Sequence, residues 1–178
     1  MQFTETPVAG AFVIELKRIV DDRGFFARQW CQEQLASRGL CDKIAQINTG
    51  TSTRMGTLRG MHFQEAPYAE VKIAHCPRGA VFDVVVDLRP ESPTFGRWHG
   101  VELSGENYRA LYVPEGCAHG YLTLADDTVL TYFTSHPYAA GAAKGVSYDD
   151  PAFGIEWPAE VRVVSDADRN WPKFSIRS

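Results

Sequence analysis

The chain lacks the marks of a secreted, membrane-spanning or metal-stapled protein. Only four of its 178 residues are cysteine (Cys31, Cys41, Cys76 and Cys117), and no two form a CxxC pair. Neither a structural zinc site nor a dense disulfide framework is therefore expected, and the thiols read as small core hydrophobes in a reducing compartment. No segment approaches the roughly 20 consecutive apolar residues that a membrane helix needs. The opening Met1-Gln2-Phe3-Thr4-Glu5-Thr6 has no basic stretch leading into an apolar run, so no secretory signal is expected and the expected location is cytoplasmic. Positive charge is not in excess either. A formal net charge of -4 provides no field for nonspecific nucleic-acid binding, while leaving room for one basic pocket. Repeats, low-complexity tracts and blocks of like charge are missing as well, which favours a single domain over residues 1–178.

What is present is a β pattern. Residues 12–17, 44–51, 71–76, 80–88, 98–103, 110–113, 121–124 and 128–134 are short runs rich in Val, Ile, Tyr, Phe, Thr and Leu. Turn signals separate them: Pro77-Arg78-Gly79, Arg89-Pro90-Glu91-Ser92-Pro93, Ser104-Gly105-Glu106-Asn107 and Asp126-Asp127. Such spacing predicts an all-β antiparallel sandwich or barrel, not alternating βαβ units. One short helix is expected over residues 32–37, ending near Gly39. The tail after Ser147 is irregular but aromatic (Tyr148, Phe153, Trp157, Trp171, Phe174), and is expected to pack over the sheet.

Against that background, Leu58-Arg59-Gly60-Met61-His62-Phe63-Gln64, Lys72 and Pro114-Glu115-Gly116-Cys117-Ala118-His119-Gly120 place basic residues within core-like segments. Buried basic groups cost free energy unless paired or used, so the cluster points to an anionic substrate and proton transfer. Strand alternation puts Lys72 on the face of Glu70 and Ala74, and Asp83 on that of Asp87, with Tyr132 alongside Leu130 and Thr134. Lys72, Asp83 and Tyr132 can thus line one interior. Arg59 and His62 would face opposite ways in a regular strand, so both reach one site only if Gly60 supplies a bulge. Taken singly, each has an ordinary explanation: a hydrogen-bonded histidine, a solvated lysine, a core tyrosine, an arginine in an ion pair. The combination carries the functional reading. His75, His99 and His136 are given no role.

Gly60-Met61-His62-Phe63-Gln64, followed by Glu70 and Gly79, has the layout of a metal-binding cupin motif, but Gln64 stands where the second histidine belongs. A glutamine amide is a poor transition-metal ligand beside imidazole, so no metal site is expected.

At these residues the chain resembles the deoxynucleotide-sugar 3,5-epimerase family. The resemblance runs through Asp21-Asp22-Arg23-Gly24-Phe25-Phe26, Gln46-Ile47-Asn48, Leu58-Arg59-Gly60-Met61-His62-Phe63-Gln64, Lys72 and Val81-Phe82-Asp83-Val84-Val85-Val86-Asp87-Leu88-Arg89. It continues with Ser92-Pro93-Thr94-Phe95-Gly96, Pro114-Glu115-Gly116-Cys117-Ala118-His119-Gly120, Tyr132, Tyr138, Asp149-Asp150-Pro151, Ile155-Glu156-Trp157-Pro158 and Ser165-Asp166-Ala167-Asp168. It implies a cupin-type jelly roll with short peripheral helices, used as a homodimer without metal or organic cofactor. The implied substrate is a nucleoside-diphosphate 4-keto-6-deoxyhexose, and the setting is deoxysugar and polysaccharide biosynthesis. By resemblance His62 is the base, Asp168 holds its imidazole, Lys72 stabilises the enolate and Tyr132 returns a proton from the other face. Arg59 and Arg23 would bind the diphosphate, Arg23 across the dimer. Gln46, Asn48, Phe26 and Tyr138 would contact sugar and nucleoside, with Asp83 and His119 supporting the site.

Several positions depart from the family pattern. Arg28 and Ala143 stand where acidic residues are usual, His136-Pro137 replaces an Asp–aromatic pair, and Cys117 replaces Phe. The first three fall where nucleoside and sugar would dock, so dTDP, CDP and GDP substrates all stay open. Inversion at both C3 and C5 is expected, with single-centre epimerisation or ketoisomerisation as alternatives. A metal-dependent cupin oxygenase and a non-catalytic sugar-nucleotide binding domain are the readings from other classes.

Overall fold

The computed structural model describes residues 1–174. Its strands are β1 (Gln2–Glu5), β2 (Phe12–Glu15), β3 (Arg18–Asp21), β4 (Gly24–Ala27), β5 (Gln46–Ser52), β6 (Thr57–Gln64) and β7 (Lys72–Arg78). They continue with β8 (Ala80–Asp87), β9 (Trp98–Ser104), β10 (Arg109–Val113), β11 (Cys117–Thr123), β12 (Thr128–Thr134), β13 (Ala143–Gly145) and β14 (Val163–Val164). Two short helices, α1 (Gln32–Ala36) and α2 (Asp166–Arg169), complete the set.

One sheet has the order β1-β2-β10-β7-β12-β5 and the other β13-β6-β11-β8-β9, with β14 beside β6. Neighbours distant in sequence, such as β2 with β10 and β6 with β11, give the crossed connectivity of a cupin-like jelly roll. The alternation of β8 shows how the sequence builds both faces. Val81 and Val85 point into the core between the sheets with Leu103, Leu111, Val113 and Leu130, and Asp83 shares their side. Val84 and Val86 point outward, where Met61, Ala118, Val146 and Phe153 cover them. Phe63, Trp157 and Phe174 pack onto this outer cluster, so the aromatic tail lies over the sheet as expected. On the far side Leu35, the one buried residue of α1, docks with Ile14, Ile73, Ala110 and Tyr112. The helix closes where Gly39, at φ +69°, returns its N–H to Ala36 O.

Strand β12 has the expected bounds, and most others differ by a residue or two. The run expected at 121–124 starts at Cys117, because Gly116 forms the turn and Cys117 already pairs with Asp87. The β3–β4 hairpin was not foreseen. All four residues of β3 and three of β4 are exposed, so no buried face imposes alternation there.

The local feature that shapes the interior lies in β6. His62 pairs with His119 and Arg59 with Tyr121, so β6 advances three residues while β11 advances two. This is the bulge the spacing of Arg59 and His62 demanded. Gly60 sits in it at φ +139°, and a Cβ there would lie 2.5 Å from Gly120 Cα. The outer edge of β6 is shared: β13 covers residues 62–64 and β14 covers 57–58. The Gly60 N–H between them turns instead to the Asp168 carboxylate, 3.4 Å away.

Candidate active site

A cavity of about 610 Å³ opens between the two sheets. The second sheet contributes His62 from β6; the first contributes Lys72 from β7, Tyr132 from β12, and Gln46 and Asn48 from β5. Tyr138, from the loop after β12, and Glu70, just before β7, also line it, and Ala143 presents only a methyl group to it.

His62 Nε2 lies 2.6 Å from Asp168 Oδ1. Asp168 is buried and reaches this point because Ser165 caps α2, accepting the Asp168 N–H at 3.0 Å. Burial disfavours its charged form, but hydrogen bonds from His62, the Gly60 N–H and the Trp171 indole outweigh this and leave its pKa below the ordinary carboxylate value. The Trp171 indole N–H donates to the same Oδ1 at 3.2 Å, and its ring meets the His62 ring edge to face. It sits over Gly145, where a Cβ would come within 2.4 Å of the indole.

On the opposite sheet Lys72 is buried, its Nζ 3.2 Å from Glu70 Oε1 and 3.3 Å from the His62 carbonyl oxygen. Burial lowers its pKa, and the nearby charges of Glu70 and Asp83 oppose that fall. Tyr132 is half-buried; burial first, then the Glu70 charge, raise its pKa, against Arg59. At neutral pH its phenol is therefore a proton donor. Beneath Lys72, His119 Nε2 lies 2.9 Å from Asp83 Oδ1, both groups buried. Asp83 Oδ2 has no hydrogen-bond partner among the described residues.

The remaining candidates stand apart from this group. Arg59 shares the inward side of the bulge and lies near Tyr132, but its guanidinium donates to Thr51 O at 3.0 Å instead of lining the cavity. His119 supports the floor without reaching the cavity. Arg23 and Phe26 lie on the β3–β4 hairpin away from it. Arg23 is 90% exposed and pairs with Asp21, and Phe26 lines a separate surface cleft with Arg28. Cys117 is a core residue, its thiol pushed up to about 12 by burial.

Gln64, the residue in the second-histidine position, is occupied structurally. Its amide nitrogen donates to Tyr68 O, Glu70 Oε2 and Pro137 O, and its oxygen accepts from the Ala139 N–H. Among the described residues no group of three or more His, Cys, Asp and Glu is placed to hold a metal ion.

Two residues of the site went unassigned in the sequence reading. Glu70 carried a usable signal, since it stands two residues before Lys72 and so shares its face. Trp171, three residues after Asp168, carried a weaker one in its helical spacing. Chemically, the arrangement sets an imidazole–carboxylate pair on one wall and, on the other, a protonated phenol and a buried lysine. Such a site can remove a proton from one side of a carbon, stabilise the resulting anion and return a proton from the other side.

Comparison with known proteins finds relatives over nearly the whole chain. The family profile of dTDP-4-dehydrorhamnose 3,5-epimerase matches residues 5–175. The dTDP-4-dehydrorhamnose 3,5-epimerase of Sinorhizobium fredii is 42% identical, over 98% of this chain and 90% of its own length. A dTDP-4-dehydrorhamnose 3-epimerase of Streptomyces niveus is 36% identical, over 96% of this chain and 82% of its own. The crystal structure of the Bacillus anthracis 3,5-epimerase, with TDP and PPi bound, superposes with a TM-score of 0.93 at 39% identity, covering 97% of this chain and 99% of that one.

Proposed function

The chain belongs to the dTDP-4-dehydrorhamnose 3,5-epimerase family and is an isomerase, and from that premise we propose that it inverts C3 and C5 of a nucleoside-diphosphate 4-keto-6-deoxyhexose. The substrate favoured by its relatives is dTDP-4-dehydro-6-deoxyglucose, and the product dTDP-4-dehydrorhamnose. One nucleotide-sugar epimerase domain spans residues 1–178. The observation that carries the reading is the pairing of His62–Asp168 on one sheet with Tyr132 on the other, around buried Lys72.

C3 and C5 both flank the C4 ketone, so loss of a proton from either gives an enolate with its charge on the C4 oxygen. His62 takes the proton. With Nε2–H donated to Asp168, Nδ1 is the ring's free acceptor and therefore the basic atom. Lys72 meets the enolate oxygen as a cation, replacing water with a fixed charge inside the cavity. Tyr132 then delivers a proton from the opposite wall, which inverts the centre. Its raised pKa keeps the phenol protonated at neutral pH. No step draws on a metal or organic cofactor.

Arg59 and Arg23 bind the diphosphate, for which arginine's planar fork is suited. Gln46, Asn48, Phe26 and Tyr138 contact sugar and nucleoside, with Asp83 and His119 supporting Lys72 from below. Because Arg23 and Phe26 lie outside this chain's own cavity, they serve the cavity of a second copy in a homodimer. The hairpin that carries them exposes Ile19 at 63%, Val20 at 75% and Phe26 at 65%, an apolar surface suited to such a partner. The protein works in the cytoplasm; its four cysteines are free thiols.

The Streptomyces niveus relative gives the single-centre alternative its footing, since it is a 3-epimerase. Incubation with the dTDP-4-keto sugar in deuterated buffer, followed by proton NMR, separates the two. Loss of both the C3 and C5 proton signals is expected. Loss of only one makes the enzyme a single-centre epimerase, and retention of both refutes the epimerase reading for that substrate.

A further inference from the structure

Glu70 is a carboxylate in the cavity wall that the proton-transfer scheme leaves without a task. Its side chain is 9% exposed, one oxygen 3.2 Å from Lys72 Nζ and the other 3.3 Å from the Gln64 amide nitrogen. Gln64 is itself held at three further points, to Tyr68 O, Pro137 O and the Ala139 N–H. The carboxylate is thus clamped between a rigid amide and the ammonium, and is not free to swing away.

We propose that Glu70 is a positioning residue for the epimerisation, holding Lys72 as a cation at a fixed point of the cavity while Gln64 holds Glu70. The inference deepens the function proposed above and rests on Lys72 meeting the enolate.

The physical case follows from burial. An ammonium removed from water loses hydration worth several kcal/mol, and without a counter-charge it sheds its proton. A neutral amine could not stabilise an enolate by charge. The groups facing Lys72 can be counted from each packed element. Glu70 precedes its own strand, Asp83 comes from β8 already bonded to His119 of β11, Tyr132 from β12, and the His62–Asp168 pair from β6 and α2. Arg59 lies beyond Tyr132, and Lys144 lines the cavity rim. Two of these groups, Glu70 and Asp83, act on Lys72 as negative charges, Glu70 more strongly. Glu70 also acts on Tyr132, making its phenol harder to ionise. Losing the Glu70 charge pushes both groups the same way: Lys72 gives up its proton at lower pH, and so does Tyr132. Both must be protonated for the reaction, so the alkaline limb of activity falls.

The test is the pH profile of kcat/KM in Glu70→Gln, which keeps the shape of the side chain. An opposite charge within about 4 Å commonly moves a pKa by one or more units, so the alkaline limb should drop by about one pH unit or more. Binding of dTDP alone should be unaffected. In Glu70→Asp, which withdraws the charge by one methylene, the limb should move less than half as far while kcat still falls. A Glu70→Gln limb coincident with wild type overturns the proposal, as does a Glu70→Asp enzyme with wild-type kcat. A second readout needs no turnover: the Lys72 Cε resonance in 13C-lysine-labelled protein should titrate at lower pH in Glu70→Gln. If wild type fails to exchange the C3 and C5 protons, the epimerase reading fails while this titration still decides the Glu70–Lys72 coupling. If wild type exchanges and neither limb nor resonance moves, the Glu70 inference alone fails.

Discussion

Replacing Gly60 with alanine should cost more stability than any other single methyl addition in β6, because two penalties meet at that residue. Gly60 sits at φ +139°, where a side chain is strained whatever the space around it. Forcing an L-residue to positive φ costs roughly 1–2 kcal/mol. The new Cβ would also lie 2.5 Å from Gly120 Cα and 3.2 Å from His119 O, both backbone atoms of the paired strand β11. Overpacking of a filled interior costs about 1–3 kcal/mol more. The sum, roughly 2–5 kcal/mol, is a large share of the ~5–15 kcal/mol that holds a domain folded. With a urea m-value of about 2 kcal/mol/M for a chain of this size, the unfolding midpoint should fall by roughly 1–2.5 M, read by tryptophan fluorescence. Gly141→Ala is the control, since a Cβ there meets nothing within 4 Å. If the chain instead escapes the clash by straightening β6, Arg59 and His62 return to opposite faces and activity disappears from a folded protein. A Gly60→Ala protein matching Gly141→Ala in both midpoint and activity refutes the reasoning.

Tyr132→Phe should separate the two halves of the reaction. Wash-in of solvent deuterium should persist within about tenfold of wild type while inversion falls by roughly a hundredfold; the reverse pattern removes tyrosine from the donor role. Away from the site, Asp87 is fully buried and receives hydrogen bonds from Arg89 at 2.7 and 2.8 Å, Ser92 at 2.5 Å and Thr94 at 2.6 Å. Burial opposes its ionisation, but these bonds outweigh it and carry its pKa down to about 2. A carboxyl whose folded pKa lies below its unfolded value lends stability that is complete above about pH 4 and lost as pH falls through about 2, here about 2 kcal/mol. Urea midpoints between pH 6 and pH 2 should therefore fall less steeply in Asp87→Asn than in wild type, and equal slopes would sink this assignment.

Legibility in the sequence tracked burial. Strands with a buried face, such as β8 and β12, announced themselves through alternation and turn residues. The hairpin β3–β4 did not, because its side chains face solvent in a single chain and nothing selects their polarity. Strands β13 and β14, three and two residues long, are shorter than any period can reveal. Within the site, the bulge at Gly60 could be inferred because Arg59 and His62 needed a common face and a glycine separated them. The Glu70–Lys72 pair was visible as a shared face but not as a contact, since alternation gives direction without distance. From sequence, Trp171 reads only as packing material in the aromatic tail. That its indole would reach Asp168 and His62 depends on a chain reversal more than 100 residues after β6, and on Gly145 leaving room for the ring. The hairpin's Arg23 shows a further limit: its expected role came from the resemblance alone, and in the structure it stands apart from the cavity, paired with Asp21.

The most direct test of the account is solvent exchange in His62→Ala. The variant should be mixed with the dTDP-4-keto sugar in deuterated buffer and followed by proton NMR, with dTDP affinity measured in parallel. A positioned general base contributes about 10²–10⁴-fold, so proton loss at both C3 and C5 should slow by at least ~100-fold while dTDP affinity stays within about threefold of wild type. Exchange at either carbon at the wild-type rate would contradict the claim that the imidazole held by Asp168 removes the proton.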